Sequence, residues 1–321
     1  MSEELKNILP GLQTAVSLAE YNTYKIGGLA KYFYIAKSKD DLLKAIQAAK
    51  QAGVEYTIIG WGSNILVADS GYDGLVIKNS SSVIAAEGEI IEAESGVNLA
   101  SLIGFATRQG LSGLEFAAGI PGTLGGAIYG NAGAYGSSFS SVVQEVEVYQ
   151  DGEVKKFSNE EMKFDYRHSI LKERPGIILS VKMKLTPKNP KEIQSKVIET
   201  IKGRNAKLPA EPSCGCVFKN IDLSKVEINK AKVIKALDIN EEEWEQAIRH
   251  GKLSVGYVIE KLGLKDKKIG GCQISPKHAS YLINIEHAKA EHVVMLISDI
   301  KMRVRDELGI QLQEEVQYLG F

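Results

Sequence analysis

The sequence predicts an α+β fold. Three features carry that expectation. Strand-like and helix-like stretches mix without the steady strand–helix–strand alternation of a doubly wound sheet. Two β-rich runs flank Asp151-Gly152, the signature of a hairpin. Beyond about residue 190 the chain turns to short strands and helices. Taken in order, Ser38-Lys39-Asp40-Asp41 precedes an apolar stripe of Leu42, Leu43, Ala45, Ile46 and Ala49. That is a capped helix ending at Gly53. Tyr56 to Ile59 is β-rich and runs into Gly60, and Gly74 to Lys78 and Glu89 to Ala93 are further strands. Asn98 to Gln109 reads as a helix stopped at Gly110. Val142 to Tyr149 and Glu153 to Phe157 form the hairpin, and Ile177 to Leu185 is another strand. Thr186 to Pro190 is linker-like, and a charged helix follows over about Lys191 to Arg204. The last elements are a helix from about Glu291 to Leu308 and a strand from Gln311 to Leu319.

A chain of 321 residues exceeds one small core and implies two or three domains. With 39 basic and 40 acidic residues the net charge is −1, which argues against nucleic-acid binding while leaving room for local basic pockets that take small anions. The three cysteines, Cys214, Cys216 and Cys272, are too sparse for a disulfide framework. Cys214-x-Cys216 has neither zinc-type spacing nor a completing cluster, so no metal site is expected. Met1 to Gln13 has no long apolar run, and nothing approaches the roughly 18 apolar residues of a membrane span. The expectation is a cytoplasmic protein without leader or anchor.

Glycine is concentrated between Gly113 and Gly136. Such density means positive φ or tight backbone approach at several points. It fits a turn-rich loop and equally a backbone cradle for a phosphate or a flat ring. Gly60-Trp61-Gly62-Ser63-Asn64 follows a strand but is neither a dinucleotide fingerprint nor a P-loop. It reads as a plain turn or as an anion nest of inward N–H groups.

The pieces gain meaning as an ordered set. Asn22-Thr23-Tyr24-Lys25-Ile26-Gly27-Gly28 is followed by Gly60 to Asn64. Gly119-Ile120-Pro121-Gly122-Thr123-Leu124-Gly125-Gly126-Ala127 comes next, then Asn131-Ala132-Gly133-Ala134-Tyr135-Gly136 and Tyr166-Arg167-His168-Ser169. Pro212 to Asn220, Ile269-Gly270-Gly271 and Glu314-Glu315-Val316 complete it. In this order and spacing the chain resembles the FAD-dependent UDP-N-acetylenolpyruvoylglucosamine reductases from about Tyr21 to its end.

The resemblance implies an FAD-binding domain of the vanillyl-alcohol-oxidase type in two α+β subdomains over residues 1–187. It also implies a smaller α+β substrate-binding domain over 188–321. Non-covalent FAD would lie with its pyrophosphate on Gly60, Gly62, Ser63 and Asn64. Gly119, Ile120, Pro121, Gly122, Thr123, Gly125, Gly126 and Ala127 would wrap the flavin and its phosphates. Tyr24 and Tyr135 fit positions beside the flavin or substrate, or equally in a core. NADPH would be the reductant. The partner would be a small sugar nucleotide, UDP-N-acetyl-enolpyruvoylglucosamine, taking hydride at C3 to become UDP-N-acetylmuramate for the cell wall. Arg167 matches the arginine that forks onto the enolpyruvyl carboxylate, and Glu315 the catalytic glutamate. Glu315 is chosen over Glu314 because it directly precedes Val316; on a strand the two point to opposite faces. Arg204, Lys207 and Asn220 fall where the UDP diphosphate is held, although Arg204 and Lys207 also suit the C-terminal end of a helix. Asn131 and His278 fall at substrate-contact positions, and His278 equally suits the surface.

Three departures stand out. Ser169 to Gly176 is short, which resembles the subgroup without a tyrosine-bearing substrate loop. Residues 221–255 form a longer spacer, including a helix-like Asn240 to His250 with Trp244; it caps the site or contacts a partner. Cys216 stands where the family's proton donor is usually serine, and on an extended strand Cys214 would share its face. Two other readings compete: a flavin oxidase of the same fold, and a non-catalytic flavin-binding relative. A covalent flavin tether lacks its residues, since no His precedes His168 and no Cys precedes Cys214. Retention of both Arg167 and Glu315 opposes the non-catalytic reading. Nothing in the sequence specifies oligomeric state.

Overall fold

A computed structural model describes residues 2–321, with side chains from Leu5 onward. Its contacts form two compact units. Among the described residues the first comprises 2–16, 30–61 and 73–206, and the second 17–29, 62–72 and 207–321.

The first unit carries two sheets. In one, the strands run in the order Gln13–Ser17, Leu29–Ala36, Tyr72–Asn79, Tyr56–Ile59, the last pair being parallel. The helix Lys39–Gln51 forms as expected, with Ser38 Oγ accepting from Asp41 N–H at 3.1 Å, and it buries Leu42, Ala45, Ile46 and Ala49. The second sheet is antiparallel, in the order Glu153–Ser158, Val143–Gln150, Ile177–Lys184, Ile90–Glu94, Ile84–Glu87. Its hairpin turns at Asp151 and Gly152, both at positive φ, as a tight primed turn requires. Alternation along the strand sends Val181 and Met183 into one core with the helices Leu99–Arg108 and Leu124–Tyr129, and a register shift between Ser180 and Ile178 brings Ile178 to the same side. Leu179 goes into the other core, with Leu42, Ile46 and Leu75.

The stretch read as a linker is tied down. Thr186–Pro187 pairs with Leu111–Ser112, and Lys188 N–H donates to the Gly110 carbonyl at 2.8 Å. The helix Pro190–Lys207 then buries Ile193 and leans Val197 on the same core. The contacts therefore part near residue 206, where the sequence reading placed the boundary after 187.

The second unit builds one core, and it includes Tyr24, Ile26 and Leu66 from two N-terminal stretches. Those stretches are joined to the C-terminal region by main-chain chemistry. Ile65–Val67 pairs in parallel with Gln317–Leu319, and Thr23 Oγ1 donates to the Ser213 carbonyl at 2.7 Å. Asp69 reaches the start of the helix Ala290–Leu308, accepting from Ala290 N–H at 2.9 Å and Glu291 N–H at 3.1 Å. A strand reading cannot see such partners, which is why 1–187 looked like one block. The expected strand Gln311–Leu319 is also shorter. Only Gln317–Leu319 is a strand, because the chain first bridges at Glu314 to Phe218 and then changes partner. The expected helix Asn240–His250 stops at Ala247, and His250 and Gly251 at positive φ turn it into a hairpin. No helix among the described residues is long and apolar enough to cross a membrane.

Asp69 satisfies two orphan N–H groups of a long helix from a distant loop. Asp69→Ala should lower unfolding free energy by about 1–2 kcal/mol, read by urea denaturation, whereas Asp69→Asn should lose less than half of that.

Candidate active site

In the first unit the two glycine loops meet. A Cβ built on Gly60 would stand 2.2 Å from Thr123 Oγ1, so no side chain fits there. The Gly60 carbonyl accepts from Lys78 Nζ at 2.9 Å, and the partial burial of Lys78 lowers its pKa. Lys78 escaped the sequence reading; its only signal was a lysine closing the apolar run Leu75–Ile77. Gly125 also packs on Ser95, where an added Cβ would stand 2.9 Å from Ser95 Cβ, and its N–H donates to the Ser95 carbonyl at 2.7 Å. Gly119 and Gly122 hold positive φ and turn the chain ahead of Thr123, which precedes the helix Leu124–Tyr129. Ile120, Pro121, Gly126 and Ala127 complete that loop. In the second unit the Gly62 carbonyl accepts from Thr23 N–H, and the Asn64 carbonyl from Gln317 N–H. The carbonyls of Gly60, Gly62 and Asn64 are thus all engaged by protein donors, which suits a loop whose N–H side serves an anion; Ser63 lies within it.

Arg167 sits in a tight turn, at positive φ, with Asp165 and His168 bridged across it. Its Nη2 donates to the Gly133 carbonyl at 3.2 Å, and its guanidinium carbon lies 5.4 Å from the Tyr166 ring centre. Asn131, expected at a substrate contact, is bonded within the protein. It is buried, its Nδ2 donates to the Asp165 carbonyl at 2.9 Å, and its Oδ1 accepts from Ser140 N–H at 3.0 Å. One end of the amide thus reaches the Arg167 turn, and the other anchors the amide to Ser140. Arg204 lies against Gly119, and its Nε–H is buried with no protein partner. A buried orphan donor on a cation calls for an anionic oxygen. Tyr135 is 59% exposed at positive φ and borders a cavity of about 720 Å³ with Phe116, Ile193 and Thr200. None of the other expected site residues lines that cavity.

The second unit brings Cys216 and Glu315 together through the main chain. Glu315 N–H donates to the Val217 carbonyl at 2.7 Å, and the Glu315 carbonyl accepts from Asn64 Nδ2 at 3.0 Å. Glu314 is committed elsewhere: it pairs with Lys301 at 2.6 Å and accepts from the Tyr318 hydroxyl. Cys214 does not share the environment of Cys216. Gly215 at φ +84° breaks the alternation, so Cys214 is 2% exposed in the core while Cys216 is half-buried. Burial pushes the Cys214 thiol well up and the Cys272 thiol to about 11. Tyr24, expected beside the flavin or equally in a core, packs in the core of the second unit. It has no exposed surface, and its hydroxyl lies 3.9 Å from Cys272 Sγ. Asn220 Oδ1 accepts from Val255 N–H at 3.2 Å. Lys207, the last residue of its helix, is exposed. His278 Nδ1 accepts from Ser280 N–H at 3.3 Å, and burial lowers its pKa.

Comparison with known proteins adds the class and then the family. A profile described as "FAD binding domain" matches residues 30–158, so the chain is a flavoprotein by its fold and its glycine loops. A second profile, "UDP-N-acetylenolpyruvoylglucosamine reductase, C-terminal domain", matches residues 207–319. The UDP-N-acetylenolpyruvoylglucosamine reductase of Solibacter usitatus is 34% identical over 316 residues, covering 97% of this chain and 98% of that protein. The reductase of Rubrobacter xylanophilus is 34% identical over 319 residues, covering 98% of each. The crystal structure of the Thermus caldophilus enzyme superposes with a TM-score of 0.73 at 28% identity, covering 96% of this chain and 98% of that one. This chain belongs to the UDP-N-acetylenolpyruvoylglucosamine reductase family, a family of FAD-dependent oxidoreductases.

Two outcomes test the geometry. Gly60→Ala should overpack against Thr123, costing about 1–3 kcal/mol and reducing the flavin that co-purifies, read as flavin absorbance per protein. Adding Thr123→Ala should restore part of both. His278 is held neutral, so its folded pKa lies below the unfolded value of about 6.5. Its contribution to stability is full above that value and declines as pH falls below it. Urea unfolding at pH 7.5 and 5.5 should show that slope, and His278→Gln should flatten it.

Proposed function

We propose that this chain reduces UDP-N-acetylenolpyruvoylglucosamine to UDP-N-acetylmuramate with NADPH in the cytoplasm, using non-covalently bound FAD. The observation that carries the residue assignment is the pair of glutamates. Glu314 is spent on Lys301 and Tyr318, while Glu315 is pinned by its main chain beside Val217 and Asn64.

The Gly60 to Asn64 loop and the Gly119 to Ala127 loop would hold FAD. When bound, FAD supplies the electron pair from NADPH to C3 of the enolpyruvyl group. Everything else falls to side chains. Arg167 stays cationic at any working pH and forks onto the enolpyruvyl carboxylate, where it stabilises the charge that develops as C2 becomes electron-rich. Glu315 works with Arg167 on that intermediate. Cys216 delivers the Sγ proton to C2, and the thiolate left behind is reprotonated from solvent. A thiol with a reference pKa of about 8.5 is largely protonated at neutral pH and is a stronger acid than an alcohol. Arg204, Lys207 and Asn220 take the UDP diphosphate. The orphan Nε–H of Arg204 suits a phosphate oxygen. His278 offers a neutral polar contact and Tyr135 an exposed ring.

The roles divide the reaction in two. Arg167→Ala, Glu315→Gln and Cys216→Ala should still let NADPH bleach the flavin. Stopped-flow reoxidation by the sugar nucleotide should slow by about 10²–10³ in each. Cys216→Ser should keep most of the rate, and Glu314→Gln should lose stability rather than rate. Near-normal reoxidation in Glu315→Gln beside a dead Glu314→Gln would reverse the assignment, and a fast Cys216→Ala would make water the proton donor.

A further inference from the structure

The segment between Asn220 and Val255 is the part of the chain whose role the family resemblance does not supply. It is closed like a loop with zipped ends. Ile221 pairs with Leu253 and Asp222 with Lys252, and Leu223 N–H donates to the Gly251 carbonyl at 3.1 Å. Ser254 N–H reaches the Ala247 carbonyl at 3.0 Å. The interior of the loop is fixed by Val233, Leu237 and Trp244, all buried in the core of the second unit. The segment is therefore no loose appendage. It leaves the chain at Asn220 and returns it at Val255 in a set register, and the last rung of that register is the bond from Val255 N–H to Asn220 Oδ1, 3.2 Å long.

A carboxamide has one acceptor end and one donor end. A backbone N–H can only donate, so Val255 fixes the Asn220 oxygen on its own side. The two Nδ2 hydrogens then lie at the opposite end, the end an anionic oxygen needs. We infer that the 221–253 segment orients Asn220 for a phosphate oxygen, with the Val255 N–H as the positioning group. This rests on the reading of Asn220 as a diphosphate contact. The ordering cost of the amide is met on folding, before substrate arrives.

The local backbone supplies a selective test. Val255 opens the helix Val255–Lys261, where a residue's N–H has no intrahelical partner. Proline is favoured at that position, and the residue before it must be extended. Ser254 is extended, at φ −68° and ψ 114°. Val255→Pro therefore removes the donor while keeping a backbone the site already has. Val255 is fully buried, so Val255→Ala serves as the control that trims the side chain and keeps the N–H.

In the FAD-loaded enzyme, Asn220→Ala should raise KM for the sugar nucleotide roughly five- to tenfold, the worth of about one hydrogen bond. Val255→Pro should raise it by a similar factor with kcat within about twofold, because a contact remote from the reacting carbon is uniform binding. Val255→Ala should hold KM within about threefold. In the Asn220→Ala background, Val255→Pro should add nothing further. A KM rise in Asn220→Ala with none in Val255→Pro overturns this inference alone. No rise in Asn220→Ala overturns the diphosphate reading and this inference with it. If Val255→Pro does not fold, Asn220→Asp carries the test, since its carboxylate accepts from Val255 N–H but has no donor end. It should melt above Asn220→Ala while raising KM at least as much, and a melting temperature no higher than that of Asn220→Ala overturns the inference.

Discussion

The parallel pairing of Gln317–Leu319 with Ile65–Val67 is the constraint on which the second unit's site depends. It is only three residues long, yet it sets the register of everything beside it. Gln317 N–H reaches the Asn64 carbonyl, Asn64 Nδ2 reaches the Glu315 carbonyl, and Glu315 N–H reaches the Val217 carbonyl. A shift of one residue would exchange Glu314 and Glu315 between faces. The acid paired with Lys301 and its neighbour would then trade places. An N-terminal loop thereby sets which of two adjacent C-terminal glutamates is committed to Lys301.

The same economy explains how the first unit holds Arg167. A guanidinium in a left-handed turn is held only if the turn is fixed from outside. Asn131 Nδ2 does this through the Asp165 carbonyl, and Lys172 Nζ adds a bond to the Arg167 carbonyl at 2.9 Å. Lys78 plays the matching part beneath Gly60. In both loops a side chain from elsewhere in the sequence bonds a main-chain carbonyl of the turn.

What the sequence disclosed follows from this. Signals that are local in the chain could be read: the Ser38 cap, the Asp151-Gly152 turn, the strands around it, and the glycines where a Cβ has no room. The ordered set of motifs carried the family. Signals that depend on a distant partner could not be read. Ser17–Leu29 looks like any stretch near an N-terminus until Tyr24 and Ile26 are seen in the same core as Val217 and Phe218. The boundary expected after 187 and the division of contacts near 206 differ for the same reason: Thr186–Pro187 looks like a linker alone and is a strand once Leu111–Ser112 lies beside it.

The two cysteines around Gly215 show how far one backbone angle can separate like groups. In an extended strand they would share a face and an environment. With Gly215 at positive φ, Cys214 goes into the core, where burial disfavours its thiolate, and Cys216 remains half-buried beside the Tyr281 bridge. A thiol that is to give up a proton must reach solvent afterwards to regain one, and a thiol sealed among apolar side chains can do neither. The glycine therefore sets the two sulfurs in different surroundings, and a side chain at 215 would be strained by its backbone angle although open space surrounds it. The exposure of Cys216 is thus governed by the backbone angle of its neighbour.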